Sequence, residues 1–226
     1  MIASNEEPVS VSEENGVRRD VPEATVIRLP DYLHVLTRLT EHGQRSVSSA
    51  ELAAAAGVTP AQLRKDLSLL GSYGVRGVGY DTVRLAGHLA SALGLSHAWP
   101  VLVVGVGRLG EALARYPGLS ERGFRIAGLF DADPALTGSE VAGQPIRPMS
   151  ELATMAAELA PVIGIIATPE DAAESVCAQL VQAGVTAILN FAPAVLPEPP
   201  GVHLRQVDVA NELQILAFHA QGGAQV

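Results

Sequence analysis

The sequence predicts an α/β protein in which a winged helix-turn-helix domain precedes a Rossmann domain, a doubly wound parallel sheet, and a helix ends the chain. Two capped helical segments flank a short link near residue 57, a Gly-x-Gly-x-x-Gly turn follows an apolar run after residue 100, and helical spacing returns after residue 210. We predict a disordered acidic tail over 1–22, the winged domain over 23–84, the Rossmann domain over 85–208 and the terminal helix over 209–226.

Composition excludes several classes of protein. The 226 residues are 48% apolar, enough for two modest domains with real cores. The apolar runs over 101–106 and 162–167 are shorter than the roughly 20 residues of a membrane span. The first residues show no secretory signal, so we expect a cytoplasmic protein. The single cysteine, Cys177, excludes an internal disulfide and favours a small core residue, and we predict no metal site.

Charge is distributed unevenly along the chain. The net charge is -9, yet residues 28–84 hold seven basic and five acidic side chains. Proteins that bind a duplex neutralise its phosphates with Lys and Arg, so this local excess of positive charge is compatible with nucleic-acid binding. A bias of this size is also typical of an ordinary solvated surface.

The first helices are marked by their start signals. A helix is expected from Glu23, where Pro30 must kink or restart it. Ser48 as N-cap and Glu51 three residues later predict a capping box that opens the helix 49–56, which Gly57 ends. Two short helices joined by three residues form a helix-turn-helix.

The second helix of this pair starts with the sequence Thr59-Pro60-Ala61-Gln62, where we expect Thr59 to cap and Gln62 to close a second capping box. At 100° per residue its leucines form one stripe, and a small, basic face lies opposite. Such a face suits the major groove of DNA. Two alternatives stay open: a purely structural helical hairpin, and ordinary surface charge over 64–66.

The segment 71–80 alternates glycines with β-prone residues, which predicts a wing. Arg76, between glycines, could enter a minor groove, although these could also be plain loop glycines. The residues that we expect at the DNA are Ser48, Thr59, Ala61, Gln62, Arg64, Lys65, Ser68, Tyr73, Arg76, Gly77 and Tyr80.

The Rossmann prediction starts from the apolar run Val101–Val104, which feeds the turn Gly105–Gly110 and a helix through about Tyr116. In this context the first glycine permits the turn, the second admits a pyrophosphate and the third lets the helix pack closely. Asp131 ends the next strand, where an acid binds the adenosine ribose hydroxyls, and it favours NAD(H) over NADP(H). Asp133 is the alternative ribose ligand.

Two more strands are expected over 162–167 and 187–190, with a helix over 169–183 between them. We expect Thr168 and Pro169 to cap that helix, and the stretch 190–193 follows the second strand. Both positions lie where open α/β sheets bind ligands. Each could also be ordinary loop structure. The residues that we expect at the nucleotide are Gly105, Val106, Gly107, Arg108, Leu109, Gly110, Tyr116, Asp131, Asp133, Thr168, Pro169, Asn190, Phe191, Ala192 and Pro193.

The last stretch, 211–221, places Leu213, Leu216, Ala217 and Ala220 at helical spacing. This amphipathic helix needs a partner surface, either its own sheet or a second subunit.

Four stretches closely resemble the Rex family of redox-sensing transcriptional repressors: Leu63–Ser68 (LRKDLS), Gly71–Tyr80 (GSYGVRGVGY), Gly105–Gly110 (GVGRLG) and Asn190–Pro193 (NFAP). The resemblance covers roughly residues 23–220. It implies a homodimer with a swapped C-terminal helix, a palindromic operator site in double-stranded DNA, and release when NADH replaces NAD+.

The resemblance also implies roles for single residues. Arg28 and Asp208 resemble a pair that locks the domains across the dimer, and Tyr116 resembles a residue near the nicotinamide. Val209 departs from the aromatic that some relatives carry there.

Two other classes of function remain to be compared. One is an enzyme, either an NAD-dependent oxidoreductase or a CoA-binding domain; no His with an acid partner is readable for hydride transfer, so we predict no enzyme. The other is a DNA-binding protein with an empty Rossmann fold.

Overall fold

The structure, a computed structural model, describes residues 21–74 and 79–222. They fall into two units, the first ending at Ser96 and the second beginning at His97. The boundary predicted after residue 84 is therefore wrong, because Leu85 and Leu89 belong to the first core. Most of the predicted tail lies outside the described residues, as do Arg76 and Gly77 of the wing.

The first unit consists of helices and one short antiparallel pair of strands. Its elements are α1 (Glu23–Val26), α2 (Leu29–Glu41), β1 (Ser46–Val47), α3 (Ser49–Ala55), α4 (Pro60–Leu70), β2 (Tyr80–Asp81) and α5 (Thr82–Ala92).

Proline and glycine punctuate this unit as the sequence predicts. Pro30 lies in the first turn of α2, so the helical segment breaks at Arg28 and restarts. Gly57 ends α3 with φ +70°, a conformation that glycine adopts without strain. The pair of β1 and β2 joins Val47 to Tyr80 at the base of the wing.

The second unit is an α/β sandwich around one large sheet. Its elements are β3 (Trp99–Val104), α6 (Arg108–Ala114), α7 (Pro117–Ser120), β4 (Phe124–Asp131), β5 (Glu140–Val141), β6 (Gln144–Pro148), α8 (Leu152–Leu159), β7 (Ile163–Ile166), α9 (Glu170–Gln182), β8 (Ala187–Asn190), β9 (His203–Gln206) and α10 (Val209–Gly222).

The strand order of this sheet is β5-β6-β4-β3-β7-β8-β9, and every pair is parallel except β5 with β6. Strand β3 is buried on both faces: Leu102 and Val104 belong to one apolar cluster, and Val101 and Val103 belong to another. The order reverses between β3 and β7. This confirms the doubly wound sheet and locates the crevice where such sheets bind ligands.

Two features are absent from the described residues. No helix there is both long and apolar enough to cross a membrane. No group of three His, Cys, Asp or Glu side chains within those ranges is placed to hold a metal ion.

Candidate DNA-binding and nucleotide-binding sites

The first helix of the helix-turn-helix starts with the predicted capping box. The Ser48 hydroxyl accepts from the Glu51 amide at 3.2 Å, and the Glu51 carboxylate accepts from the Ser48 amide at 2.8 Å. The second hydrogen bond lowers the pKa of Glu51, because it stabilises the ionised form. The start of α3 is therefore fixed by its own residues.

The second capping box is only half formed. The Thr59 hydroxyl accepts from the Gln62 amide at 3.1 Å, as expected. The Gln62 side chain, however, turns inward and donates to Asp66 Oδ1 at 2.8 Å, because a buried carboxylate is a stronger acceptor than any group at the helix start. The Gln62 side chain, which we predicted at the DNA, therefore faces Asp66 instead.

The outward face of α4 has the predicted composition. Ala61, Arg64, Lys65 and Ser68 are exposed, whereas Leu63 and Leu67 are buried. Arg64 Nη1 donates to the hydroxyl of Ser49 on α3 at 3.2 Å, so the first helix helps to orient this arginine. Lys65 is the only lysine of the chain.

The tyrosines next to the wing are less exposed than predicted. Tyr80 is 7% exposed and lies in the core of the first unit, so its ring cannot reach DNA, and this part of the prediction is wrong. The Tyr73 hydroxyl donates to the Leu70 carbonyl at 2.5 Å, and its ring lies 4.8 Å from the ring of His88. Both rings support the base of the wing instead.

Asp66 is a functional candidate that the sequence analysis missed. It entered only through the alternative of ordinary surface charge over 64–66, but it is 0% exposed. Arg28 donates to it from Nε and Nη2, both at 2.7 Å. A signal was present, since 100° per residue places position 66 on the same side of the helix as Leu63 and Leu70.

The other predicted switch residue caps a helix. The Asp208 carboxylate accepts from the amides of Ala210 at 2.9 Å and Asn211 at 3.3 Å, at the start of α10. A pairing of Arg28 with Asp208 between two subunits stays a prediction.

The glycine turn has the geometry that each of its three glycines predicts. Gly105 has φ +93°, and a Cβ there would lie 2.7 Å from the Ala167 carbonyl oxygen. A Cβ on Gly110 would overlap the Gly105 carbonyl oxygen, so helix and turn pack backbone to backbone. Gly107 differs, because a Cβ there would meet no atom within 4 Å. The second glycine is thus not needed for packing, and the open space beside it is available to a phosphate.

Asp131 connects this turn to the next strand. Its Oδ2 accepts from the Val106 amide at 2.7 Å, and its Oδ1 accepts from the Asp133 amide at 2.9 Å. Each oxygen keeps a second lone pair for a ribose hydroxyl. Asp133 instead accepts from the Ala135 amide at 2.9 Å and shapes its own turn, which favours Asp131 as the ribose ligand.

Thr168 does not cap the following helix. The N-cap of α9 is Pro169, which makes no side-chain capping bond. The Thr168 hydroxyl is buried without a hydrogen-bond partner, and its methyl group lies next to Gly105 at the crevice. A buried hydroxyl in that situation carries a free-energy penalty that a ligand can remove.

Asn190 has the plain loop role that we left open. It is fully buried; its amide nitrogen donates to the Ala194 carbonyl at 3.0 Å and to Gln206 Oε1 at 2.7 Å, and its oxygen accepts from the Ala192 amide at 2.9 Å. Both amide protons are thus used internally. Asn190 shapes the loop 191–193, and only the loop itself can meet a ligand.

Tyr116 does not lie with the other nucleotide candidates of its own chain. Helix α6 ends at Ala114, and Tyr116 is the N-cap of α7, where it lines a groove with Phe124 at the amino end of β4. A helix that follows a parallel strand runs back along it, so its end lies at the opposite edge of the sheet from the glycine turn. In its own chain Tyr116 therefore lies at the other edge of the sheet from the glycine turn, and its predicted place near the nicotinamide stays a prediction.

Comparisons with known proteins match both units. Residues 20–68 match the family described as putative DNA-binding protein N-terminus, and residues 96–194 match the CoA binding domain family. The chain is 58% identical over 203 residues to the redox-sensing transcriptional repressor Rex of Streptomyces avermitilis, which covers 90% of this chain and 81% of that protein.

Two solved structures of the protein RSP are similar as well. One, in complex with β-NAD+ and operator DNA, has a TM-score of 0.84 and 32% identity and covers 90% of this chain and 94% of that one. The other, in complex with β-NADH, has a TM-score of 0.80 and 31% identity and covers 91% of this chain and 96% of that one.

Proposed function

Because the chain belongs to the Rex family of redox-sensing transcriptional repressors, we propose that it represses transcription by binding operator DNA in the cytoplasm and that NADH releases it. The observation that carries this proposal is that the similarity extends over both units. The first unit has the capped helix-turn-helix, and the second has the glycine turn. The relatives are named repressors, which favours a regulator over an enzyme.

The first unit supplies the contacts with DNA. Helix α4 would enter the major groove with Lys65 and Arg64 toward guanine edges or phosphates. The hydroxyls of Ser48 and Thr59 accept from their own helices, and each keeps its proton to donate to a phosphate oxygen. Base contacts would then select the sequence, while the caps fix the register.

The second unit supplies the nucleotide site. Gly107 leaves room for the pyrophosphate beside the amino end of α6, Asp131 would accept from the ribose hydroxyls, and Thr168 would gain a partner. NAD+ carries a positive nicotinamide ring and NADH a neutral one, so the two can favour different arrangements of the protein. Only such a difference in affinity can move an equilibrium.

We also propose a homodimer on a palindromic operator. Every residue from 209 to 221 in α10 is exposed, including apolar side chains on two sides of the helix. A helix that is apolar on more than one side is normally buried. A second subunit would cover it, as the predicted swap of this helix requires.

The proposal is tested by selecting operator sequences from a palindromic duplex library with the full chain. The affinity for the selected duplex is then measured with NADH, with NAD+ and with neither. Linkage requires operator DNA to weaken NADH binding by the factor by which NADH weakens operator binding, about 5- to 150-fold for a coupling of roughly 1 to 3 kcal/mol. Equal operator affinity with saturating NADH and NAD+ would refute the sensor function.

Lys65→Ala is expected to weaken binding to the selected operator by about 10-fold or more, because a base or phosphate contact of one cation is worth roughly 1 to 3 kcal/mol. Affinity for NADH should stay unchanged, since α4 belongs to the other unit. Arg38→Ala is the control: it removes one positive charge from the exposed side of α2. Parallel loss of operator and NADH binding in the Lys65 variant would contradict the assignment.

The single lysine permits a direct check of this contact. An amine-reactive label can modify only Lys65 and the α-amine, and peptide mass spectrometry distinguishes the two. Operator DNA should slow labelling of Lys65 strongly, and adding NADH should restore it. Labelling that the operator leaves unchanged would remove Lys65 from the interface.

Thr168→Val is expected to change stability and ligand affinity in opposite directions. Valine has the same shape but removes a buried hydroxyl without a partner, so the free energy of unfolding should rise by about 1 kcal/mol. NADH affinity should fall by about 10-fold, because a hydrogen bond to the ligand is lost. Chemical unfolding and calorimetric titration measure the two quantities. Unchanged NADH affinity would show that the hydroxyl faces no ligand.

A further inference from the structure

Asp66 is the charged side chain that the structure buries among the residues it describes, and it belongs to the helix that would read DNA. It lies on the inner side of α4, whereas its neighbour Lys65 lies on the outer side. Burying a carboxylate is costly unless it is paired and fully hydrogen-bonded. Its position therefore depends on the groups that surround it.

Three segments of the first unit converge on this carboxylate. Oδ1 accepts from the Thr25 hydroxyl of α1 at 3.0 Å and from Gln62 Nε2 of α4 itself at 2.8 Å. Oδ2 accepts from the Tyr32 hydroxyl of α2 at 2.7 Å. Arg28, which lies between α1 and α2, donates to both oxygens. We call these five residues the Asp66 cluster.

The cluster keeps its charges at every ordinary pH. Burial alone raises the pKa of Asp66, but the hydrogen bonds from Arg28, Tyr32, Gln62 and Thr25 outweigh it and lower the pKa to about 2. Burial, followed by the hydrogen bond to Asp66, raises the pKa of Tyr32 to about 12. Between these values the carboxylate stays ionised and the phenol stays protonated.

The hydrogen bonds of the Asp66 cluster are directional, whereas the apolar contacts beside it are not. Leu63 and Leu67 bury α4, but apolar packing has no preferred angle and tolerates a small rotation of the helix. Hydrogen bonds to a carboxylate require distances near 2.7 to 3.0 Å and defined angles. The four such bonds that come from Thr25, Arg28 and Tyr32 fix the rotation of α4 about its axis. That rotation decides where Lys65 and Arg64 point.

We propose that Asp66 is a positioning residue for operator recognition. Through Arg28 it holds the outward face of α4, with Arg64 and Lys65, at one angle relative to α1 and α2. This inference rests on the proposed function. It assigns sequence discrimination, rather than general affinity for DNA, to a side chain that itself touches no DNA. The side chain of Arg28 is 26% exposed, so the cluster is also open to solvent at one edge.

Asp66→Asn in the full chain tests this inference, because asparagine has the same shape and cannot hold the arginine with a charge. We expect affinity for the selected operator to fall about 10- to 100-fold. Affinity for a scrambled duplex of equal length should not fall, because Arg64 and Lys65 keep their charges. NADH affinity should also stay unchanged. We call the affinity for the selected operator divided by that for the scrambled duplex the specificity ratio. A residue that only stabilises the fold would leave this ratio unaltered.

Two further variants complete the design. Asp31→Asn is the matched control, because it removes the same charge from an exposed position on α2, and its specificity ratio should equal that of the unchanged protein. Arg28→Lys keeps the positive charge but loses the bidentate contact with Asp66, and we expect a specificity ratio between those of Asp66→Asn and the unchanged protein. If Asp66→Asn impairs folding, seen as lost hydrogen-exchange protection over 60–70, Arg28→Lys alone decides the question.

A specificity ratio that neither variant changes would overturn the positioning role. Failure of the proposed function looks different, because the unchanged protein would then select no operator at all. Equal losses on the selected and scrambled duplexes with α4 still protected would assign Asp66 to general DNA affinity, which also contradicts the inference.

Discussion

Gly107→Val is expected to produce a repressor that binds its operator and that NADH no longer releases. The glycine turn explains why a single side chain can have this effect. Gly107 has an ordinary backbone conformation, and a Cβ there meets no atom within 4 Å, so the fold accepts valine. The same open space is where the pyrophosphate must lie, and a branched side chain would occupy it. We expect NADH affinity to fall at least about 100-fold, equivalent to roughly 2.7 kcal/mol.

Calorimetric titration measures the affinity for NADH. Operator affinity, measured with and without NADH, shows whether NADH still releases the protein. Gly107→Ala should show a smaller loss, so that affinity decreases as the side chain grows. Gly87→Ala is the control, since it adds a methyl group in open space on α5 of the other unit. Gly110→Ala should instead lower the free energy of unfolding, because its Cβ would overlap the Gly105 carbonyl. Full NADH affinity in Gly107→Val would mean that the nucleotide lies elsewhere.

The sequence predicts the centre of the sheet better than its edges. Strands β3 and β7 are continuous apolar runs because helices cover both of their faces, and such runs are recognisable without a structure. Strand β6 contains Pro145 and Pro148, and β9 is largely exposed, so neither has an apolar pattern. These two strands pair because their neighbours offer backbone partners, not because of their own residues, so the sequence does not predict either strand.

The candidate sites divide in the same way. The glycine turn and the caps of α3 and α4 depend on residues within five positions of each other, and the sequence predicts most of their geometry. The orientations of Asp66 and Tyr80 depend on partners far along the chain, and the side chain of Gln62 follows the buried Asp66. Asp66 meets Thr25 across 41 positions, for example. A pattern of local spacing cannot locate such partners, so one predicted DNA contact turned inward and one was a core residue.

The terminal helix leads to the prediction with the largest expected effect on DNA binding: Leu216→Glu should yield a monomer that binds the palindromic operator at least about 100-fold more weakly. Val209, Leu213 and Leu216 form one exposed stripe of α10, and Phe218 lies on the opposite side, with 74% of its surface exposed. In the proposed homodimer a second subunit covers both sides, and a buried, unpaired carboxylate would oppose this association.

The size of the effect follows from the number of reading helices that act together. A dimer binds its second half-site at a high effective concentration, which can strengthen binding by about 10²- to 10⁴-fold without any new contact. A monomer loses that gain, but each α4 keeps its own contacts. We therefore expect light scattering to report half the mass, and affinity for an isolated half-site to match that of the unchanged protein. His219→Glu adds the same charge on the polar side of α10 that also carries Glu212, and serves as the control. A Leu216→Glu variant that remains a dimer, or a monomer with undiminished affinity for the full operator, would contradict the role of α10 in joining two reading heads.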